Sequence, residues 1–556
     1  MAFAPDLDAL SELAASFARA YPALAPRLAE RSNDPDVERL LEAFGFLTAR
    51  IHKLLDESAS PARSFAALVA PELERGFPSA TIMSIAAPST RQSVPAGATF
   101  DSPEVGGTVC RFRAWSAFDL VPWSVDDARI AWSSAEGQSL VVRLAAAGDG
   151  VLASLFPLRL HLAGEGRVAL ALQLYLRTHL ARAELRVEDR VFDLGKHVEA
   201  WGLDANEALL PPEPYEHPGL RLLREYYLLP AKFAFVSLAA PAVEGHAASV
   251  ELRFAFDAQL PMELQVSAQN IRLNCVPAAN VFETTADPIT PSLERPVHVL
   301  RPAGIPLGLG GTYAVTRVLG GRDGATEEIP PFSAFDAAPP GPAFHVAERH
   351  ATPRGSEVHL SLGSPADTGP IPEYDFVSVE IQADNGALPN SLGIGDVCMH
   401  PEWTVRNIAA VTPHRAPASG DELRYRTLAV LALQASSLVT LDPLRTLLHV
   451  LNLHPLHDAQ AARANAQRLA AVVSLEVTPA RARPPGAVLL GHDVKIGLSS
   501  AGFDGEGDAL VFGSVLARLL AHEASVGAFV RTTVRILETG RVFAFPALHG
   551  DRAFEE

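Results

Sequence analysis

Near residue 80 the spacing of apolar residues changes from helical to extended, and beyond it the chain never settles into a regular strand–helix alternation. Upstream, Leu10, Leu13, Phe17 and Tyr21 recur at helical spacing. Asp34 can cap the next helix, and Pro35 suits its first position because the missing N–H would have no partner there. Val37, Leu40, Leu41, Phe44, Leu47, Ile51, Leu54 and Leu55 then form one stripe, with Glu38, Arg39, Glu42 and Lys53 off it. Ser60-Pro61 opens a third helix that carries Phe65, Leu68 and Val69.

Downstream, the period is two. Leu158, Leu160 and Leu162 alternate with Arg159 and His161. Val250, Leu252, Phe254 and Phe256 alternate with Glu251, Arg253 and Ala255, and Val358, Leu360 and Leu362 repeat the pattern. Turn signals at Pro95-Ala96-Gly97, Gly106-Gly107, Gly310-Gly311 and Gly320-Gly321 punctuate these runs. Helices are expected near 168–182 and 219–228. A Pro-rich stretch at 338–342 reads as a connector, and after residue 420 the chain is helical again. Asp442-Pro443 starts a helix bearing Leu444, Leu447, Leu448 and Leu451; Phe512, Val515, Leu516, Leu519 and Leu520 share a later face. Thr539-Gly540 sits between two extended runs as a hairpin.

This pattern excludes a doubly wound parallel sheet and predicts a multidomain α+β fold. Its expected parts are a helical N-terminal segment over 1–78, a β-rich domain with helices over 79–235, a second β-rich domain over 236–336, and a C-terminal α+β region over 344–556. At roughly 150 residues per domain, a chain of this length holds three or four.

Charge narrows the range of functions. With 46 Lys and Arg against 64 Asp and Glu, the formal charge is −18. That is a poor match to nucleic acid or an anionic lipid surface, and it favours solubility. Cys110, Cys275 and Cys398 are far apart and form no CxxC pair, as expected of buried thiols in a reducing compartment. The first twenty residues lack a basic stretch followed by an apolar core, and no apolar run is long enough to span a bilayer, so a cytoplasmic location is expected.

Chemistry-bearing motifs are scarce. There is no phosphate-binding loop, no GxSxG elbow and no HExxH helix, and Gly308 to Gly311 lacks dinucleotide spacing. His449, His454 and His457 cluster near a helix end with Asp458, but their first gap is five and Pro455 interrupts, so helix-end histidines are the better reading. Asp504, Glu506 and Asp508 alternate with glycines like the start of a calcium loop. The twelfth position, however, is Val515 where a bidentate Glu belongs, so the stretch reads as a turn with Asp508 capping a helix. No catalytic, cofactor or metal residue is assigned.

Five segments, in order, resemble the TssF family (also called ImpG or VasA) of type VI secretion baseplate proteins. They are Asp34-Pro35-Asp36-Val37-Glu38-Arg39-Leu40-Leu41-Glu42-Ala43-Phe44 running on to Ile51; Cys110-Arg111-Phe112-Arg113 with Asp119-Leu120-Val121-Pro122; Leu222-Leu223-Arg224-Glu225-Tyr226-Tyr227 with Pro230-Ala231-Lys232-Phe233; Arg272-Leu273-Asn274-Cys275-Val276-Pro277 with Asn280-Val281-Phe282; and Leu510-Val511-Phe512-Gly513-Ser514-Val515-Leu516 with Val526 to Phe529. The opening before Asp34 and the stretch Tyr425 to Leu438 depart from the family pattern.

The resemblance implies a non-enzymatic scaffold. Its role would be in a baseplate wedge around the VgrG spike hub, coupled to sheath contraction. The implied partners are a TssG-like protein with two copies of this chain, the second copy itself, and TssE-like and TssK-like subunits. Neither nucleic acid nor membrane insertion is implied. Periodicity alone leaves open whether the stripe Val37, Leu40, Leu41, Phe44, Leu47, Ile51, Leu54 and Leu55 packs in its own core or in a shared bundle; the resemblance favours the bundle. Another contractile machine, such as a phage tail, and a multidomain hydrolase are the alternatives.

Overall fold

In the computed structural model the described residues are 74–553 other than 134–136, 165, 213–216, 240–242, 262, 292–295, 333–342, 353–354, 365–373, 453–458, 484–488, 523–527, 550–551 and most of 418–439. The helical segment 1–73, with its stripe from Val37 to Leu55, and the Pro-rich connector lie outside them.

Antiparallel sheets dominate the described chain up to residue 407. One runs in the order 405–407, 80–85, 275–279, 108–113 and 99–105, so three distant stretches of sequence share it. A second runs 190–195, 180–187, 249–256, 137–146 and 123–133. Its central strand, Ser249–Phe256, points Val250, Leu252, Phe254 and Phe256 into the core, as the alternation predicts. Strands on both sides of residue 236 therefore lie in the same sheet. Smaller sheets are 199–200, 235–238, 158–162, 271–272; then 282–285, 376–384, 311–322, 325–328; then 297–300, 355–363, 344–352.

The helices Gly166–Thr178 (α1), Pro218–Leu228 (α2), Leu441–Leu451 (α3), Ala459–Ala470 (α4) and Glu506–His522 (α5) gather at one core. α5 is the crossover between strands Leu489–Leu498 and Ala528–Ile536, which pair in parallel. An antiparallel hairpin to 542–544 follows, with Gly540 at φ 70° in its turn. The fold is a multidomain α+β arrangement of several sheets around buried helices.

Four expectations need correction. Gly320 and Gly321 are not a turn; they lie inside the strand Gly311–Arg322. A Cβ on Gly320 would come within 2.5 Å of the Tyr374 ring, and one on Gly321 within 2.1 Å of Phe376, so both glycines make room for aromatic rings at the start of the paired strand and just before it. The turn falls at Asp323-Gly324, both at positive φ, the signature of a two-residue hairpin loop. The first helix stops at Thr178, four residues short, because Thr178 Oγ1 donates back to Leu174 O and strand Leu180–Val187 begins two residues on.

His161 does not face solvent. Its strand is covered on both faces, and the ring packs at 4.4 Å against Phe235. Of the three cysteines only Cys110 and Cys275 are buried, and Cys398 is exposed on a loop. Burial pushes the Cys275 thiol up to about 12 and raises that of Cys110, so both act as small apolar groups.

Candidate assembly core

The motif around Leu222 to Tyr227 forms α2. Pro218 sits at its first turn, where a missing N–H has no cost, and every residue from Gly219 to Leu228 is buried. A helix enclosed all round needs partners on each side. Tyr226 packs its ring 5.7 Å from Phe512 on α5 and 5.7 Å from Phe233. Tyr227 donates its hydroxyl to Leu448 O on α3 at 3.0 Å. Burial raises both phenols, which keeps them protonated donors. Gly219 permits the close crossing with α5, since a Cβ there would lie 3.0 Å from Leu519. On α5, Gly507 does the same against α1, where a Cβ would come within 2.2 Å of Leu170 O.

Charges in this core are paired inside it. Glu225 and Lys232, 1% and 0% exposed, form a direct ion pair, which removes both from any external role. Glu225 Oε1 also accepts from Leu209 N at 2.8 Å and Leu210 N at 2.9 Å, tying the preceding loop to the helix. Arg224, 1% exposed, donates to Gly76 O at 3.2 Å and lies 5.6 Å from the centre of the Phe77 ring. Together these links anchor the strand that starts at Ala80 to the helical core. A carboxylate with this many donors is compatible with burial, whereas a bare one is not.

The second motif pair folds into asparagine clips. Asn274, at φ 53°, accepts from Val121 N at 2.8 Å and donates to Val121 O at 3.0 Å, holding Asp119-Leu120-Val121-Pro122 against the strand of Cys275. Asn280 donates to Arg111 O at 2.7 Å and to Asn385 Oδ1 at 2.7 Å, and accepts from Asn385 N at 2.8 Å. Asn407 does the same work further on, accepting from Gly395 N and Val397 N and donating to Gly393 O and Ala409 O. Each satisfies loop backbone groups that sheet pairing leaves open. The four resembling segments among the described residues thus meet in space as architecture: they sew distant stretches of chain together.

The acidic glycine stretch is also structural. α5 begins at Glu506, so Asp508 is inside the first turn and is not the cap. Its carboxylate reaches back to accept from Asp504 N at 3.2 Å and pairs with Arg468 of α4 at 3.0 Å. Glu506 and Asp508 in the first turn also oppose the positive end of the helix dipole. His449 is exposed near the end of α3, while His454, His457 and Asp458 lie outside the described residues. Among the described residues no group of three or more His, Cys, Asp or Glu side chains could hold a metal ion, and no helix is long and apolar enough to cross a membrane.

The sequence model described as "Type VI secretion system, TssF" matches residues 2–552. The chain belongs to the TssF family. Among curated relatives of this TssF-family chain, the type VI secretion system component TssF1 of Pseudomonas aeruginosa is 28% identical over 614 aligned residues, 98% of each chain. A chain of the TssK-TssF-TssG baseplate subcomplex solved by cryo-electron microscopy superposes with a TM-score of 0.77 at 25% identity, covering 92% of this chain and 99% of that one. A chain of a second solved type VI baseplate complex shares the fold, with a TM-score of 0.61 at 22% identity over 99% of this chain and 98% of that one.

Proposed function

We propose that this chain is a structural subunit of a type VI secretion baseplate that acts through protein contacts and carries no catalytic centre of its own. The observation that carries this is family membership along nearly the whole chain, joined to a fold shared with a subunit of a baseplate subcomplex. The geometry agrees with such a role, because the family-like residues among the described ones are spent on tying the sheets and helices into one framework.

In this reading the chain sits in a wedge with a TssG-like protein, two copies to one, and contacts TssK-like and TssE-like subunits around the VgrG hub. Assembly takes place at the cytoplasmic face of the inner membrane, through partners. The framework holds the wedge geometry before firing and rearranges at its interfaces when the sheath contracts. The stripe Val37, Leu40, Leu41, Phe44, Leu47, Ile51, Leu54 and Leu55 supplies the helix that joins the shared bundle, since permanent interfaces are rich in apolar area. The 1–78 segment is then the bundle arm, and 79–235, 236–336 and 344–556 are the body. The test is a chain carrying Leu40→Asp and Phe44→Asp, co-expressed with its TssG-like partner. Loss of the complex with unchanged thermal unfolding of the body supports the reading. A complex of normal yield overturns the role given to the stripe.

A further inference from the structure

A half-open cavity of about 270 Å³ lies where strands 235–238 and 158–162 meet the Phe118–Leu120 strand and the Trp201 loop. Arg159 lines it, with its guanidinium carbon 4.5 Å from the centre of the Trp201 ring. A guanidinium carries five N–H donors. Among the described residues Arg159 places one hydrogen bond, from Nη2 to Cys275 O at 3.2 Å, and its remaining donors are left open to the cavity.

The cavity's own carboxylate is already taken. Asp119 is paired at 2.7 Å with Arg91, whose other bonds go to Ser154 O and Phe156 O. Burial pushes the Asp119 carboxyl up, but hydrogen bonds from Arg91 and Ser93 outweigh it and hold it below its ordinary value. Arg91 holds the Asp119 carboxylate, and Arg159, half-buried with Asp119 and Glu207 in electrostatic reach, has no carboxylate hydrogen-bonded to it among the described residues.

We propose that this cavity is a socket for a carboxylate, and that its occupant is an aspartate or glutamate side chain presented by a partner subunit of the assembly. A planar guanidinium fixed on an indole face is pre-set for a two-pronged bond to a carboxylate. Phe118 and Trp201 offer apolar walls to the methylenes behind it. The volume lies just under the roughly 300–1,000 Å³ of small-molecule sites and suits one short side chain. The inference rests on the reading of the chain as an assembly subunit.

Ser237 lines the same cavity and stands directly across the paired strands from Arg159. Ser237→Glu therefore places a carboxylate of the chain itself beside the guanidinium and fills the socket from within. The experiment measures binding of purified full-length chain to its co-expressed TssG-like and TssK-like partners, with thermal unfolding of each variant. For Ser237→Glu, affinity for one partner falls at least about thirtyfold with the unfolding temperature held or raised, and Arg159→Gln gives the same loss. Binding of every partner within twofold of wild type by a folded Ser237→Glu chain overturns the socket and leaves the assembly reading standing. Failure of the wild-type chain to bind either partner overturns both. A rise in unfolding temperature with millimolar glutarate that Ser237→Glu abolishes, with partner binding intact, would make the site one for small dicarboxylates and overturn the partner assignment.

Discussion

The core around α2 and the three-stranded sheet 297–300, 355–363, 344–352 use the same residue types to opposite ends. In the core, charges and aromatic rings are wholly enclosed: Glu225 meets Lys232, and Tyr226 meets Phe512. In the sheet, only one face is buried, with Leu300, Val358 and Leu360 inside. Its other face leaves Val297 52% and Val299 38% exposed and sets His350 against His359, centroids 4.2 Å apart and tilted by 30°, between Glu348 and Glu357. Among the described residues, the family-like motifs mark where the framework closes on itself, while the open face of this sheet carries none of them.

This contrast can be broken from either side. The largest effect is expected in the core, where Phe512→Ala removes a ring shared by Tyr226 and Phe503 and should cost about 3–5 kcal/mol by urea unfolding. Lys232→Met should cost nearly as much, about 3–5 kcal/mol, because it strands the Glu225 carboxylate in the interior. Adding Glu225→Gln keeps the acceptor for Leu209 N and Leu210 N, so the double variant should be more stable than Lys232→Met alone. A double variant no better than the single one would mean the pair is not coupled.

The third effect is on pH. Burial lowers the His161 imidazole from 6.5 to about 4, so the folded chain keeps it neutral while the unfolded chain takes up a proton below 6.5. Its contribution is fully present above pH 6.5, declines as the pH falls toward 4, and is then spent, for a total of about 3 kcal/mol. His161→Phe should flatten that part of the stability profile; an unchanged slope would show that other groups carry it. Asn280→Ala should cost about 1–3 kcal/mol by leaving Asn385 N and the Arg111 carbonyl without their partner. At the other extreme, Val297→Ser on the open sheet face should stay within about 0.5 kcal/mol.

How far the sequence foretold this depended on whether neighbours in space were neighbours in the chain. The alternation of Val250 to Phe256 and the stripe of α3 report one face each, and both came through in place. α2 was legible as a helix, but its burial on all sides was not, because Arg221, Arg224 and Glu225 read as a wet face until Lys232 and Gly76 come alongside. Arg159 and His161 failed for the same reason: alternation marked them as outward, and only the pairing of strands 158–162 and 235–238 brings Phe235 and Trp201 over them. The clips of Asn274 and Asn280 show only a faint signal in sequence, since each joins residues more than a hundred positions apart, as Asn280 and Asn385 do, whereas Asn407 ties a local loop. The Asp323-Gly324 turn was plainly written, and the paired glycines beside it drew the reading away.

Whether this chain works as an assembly subunit is decided by native mass spectrometry of the chain co-expressed with the TssG-like protein. A stable complex with two copies of this chain for each TssG-like subunit is expected. Both proteins recovered separately as folded monomers would contradict it.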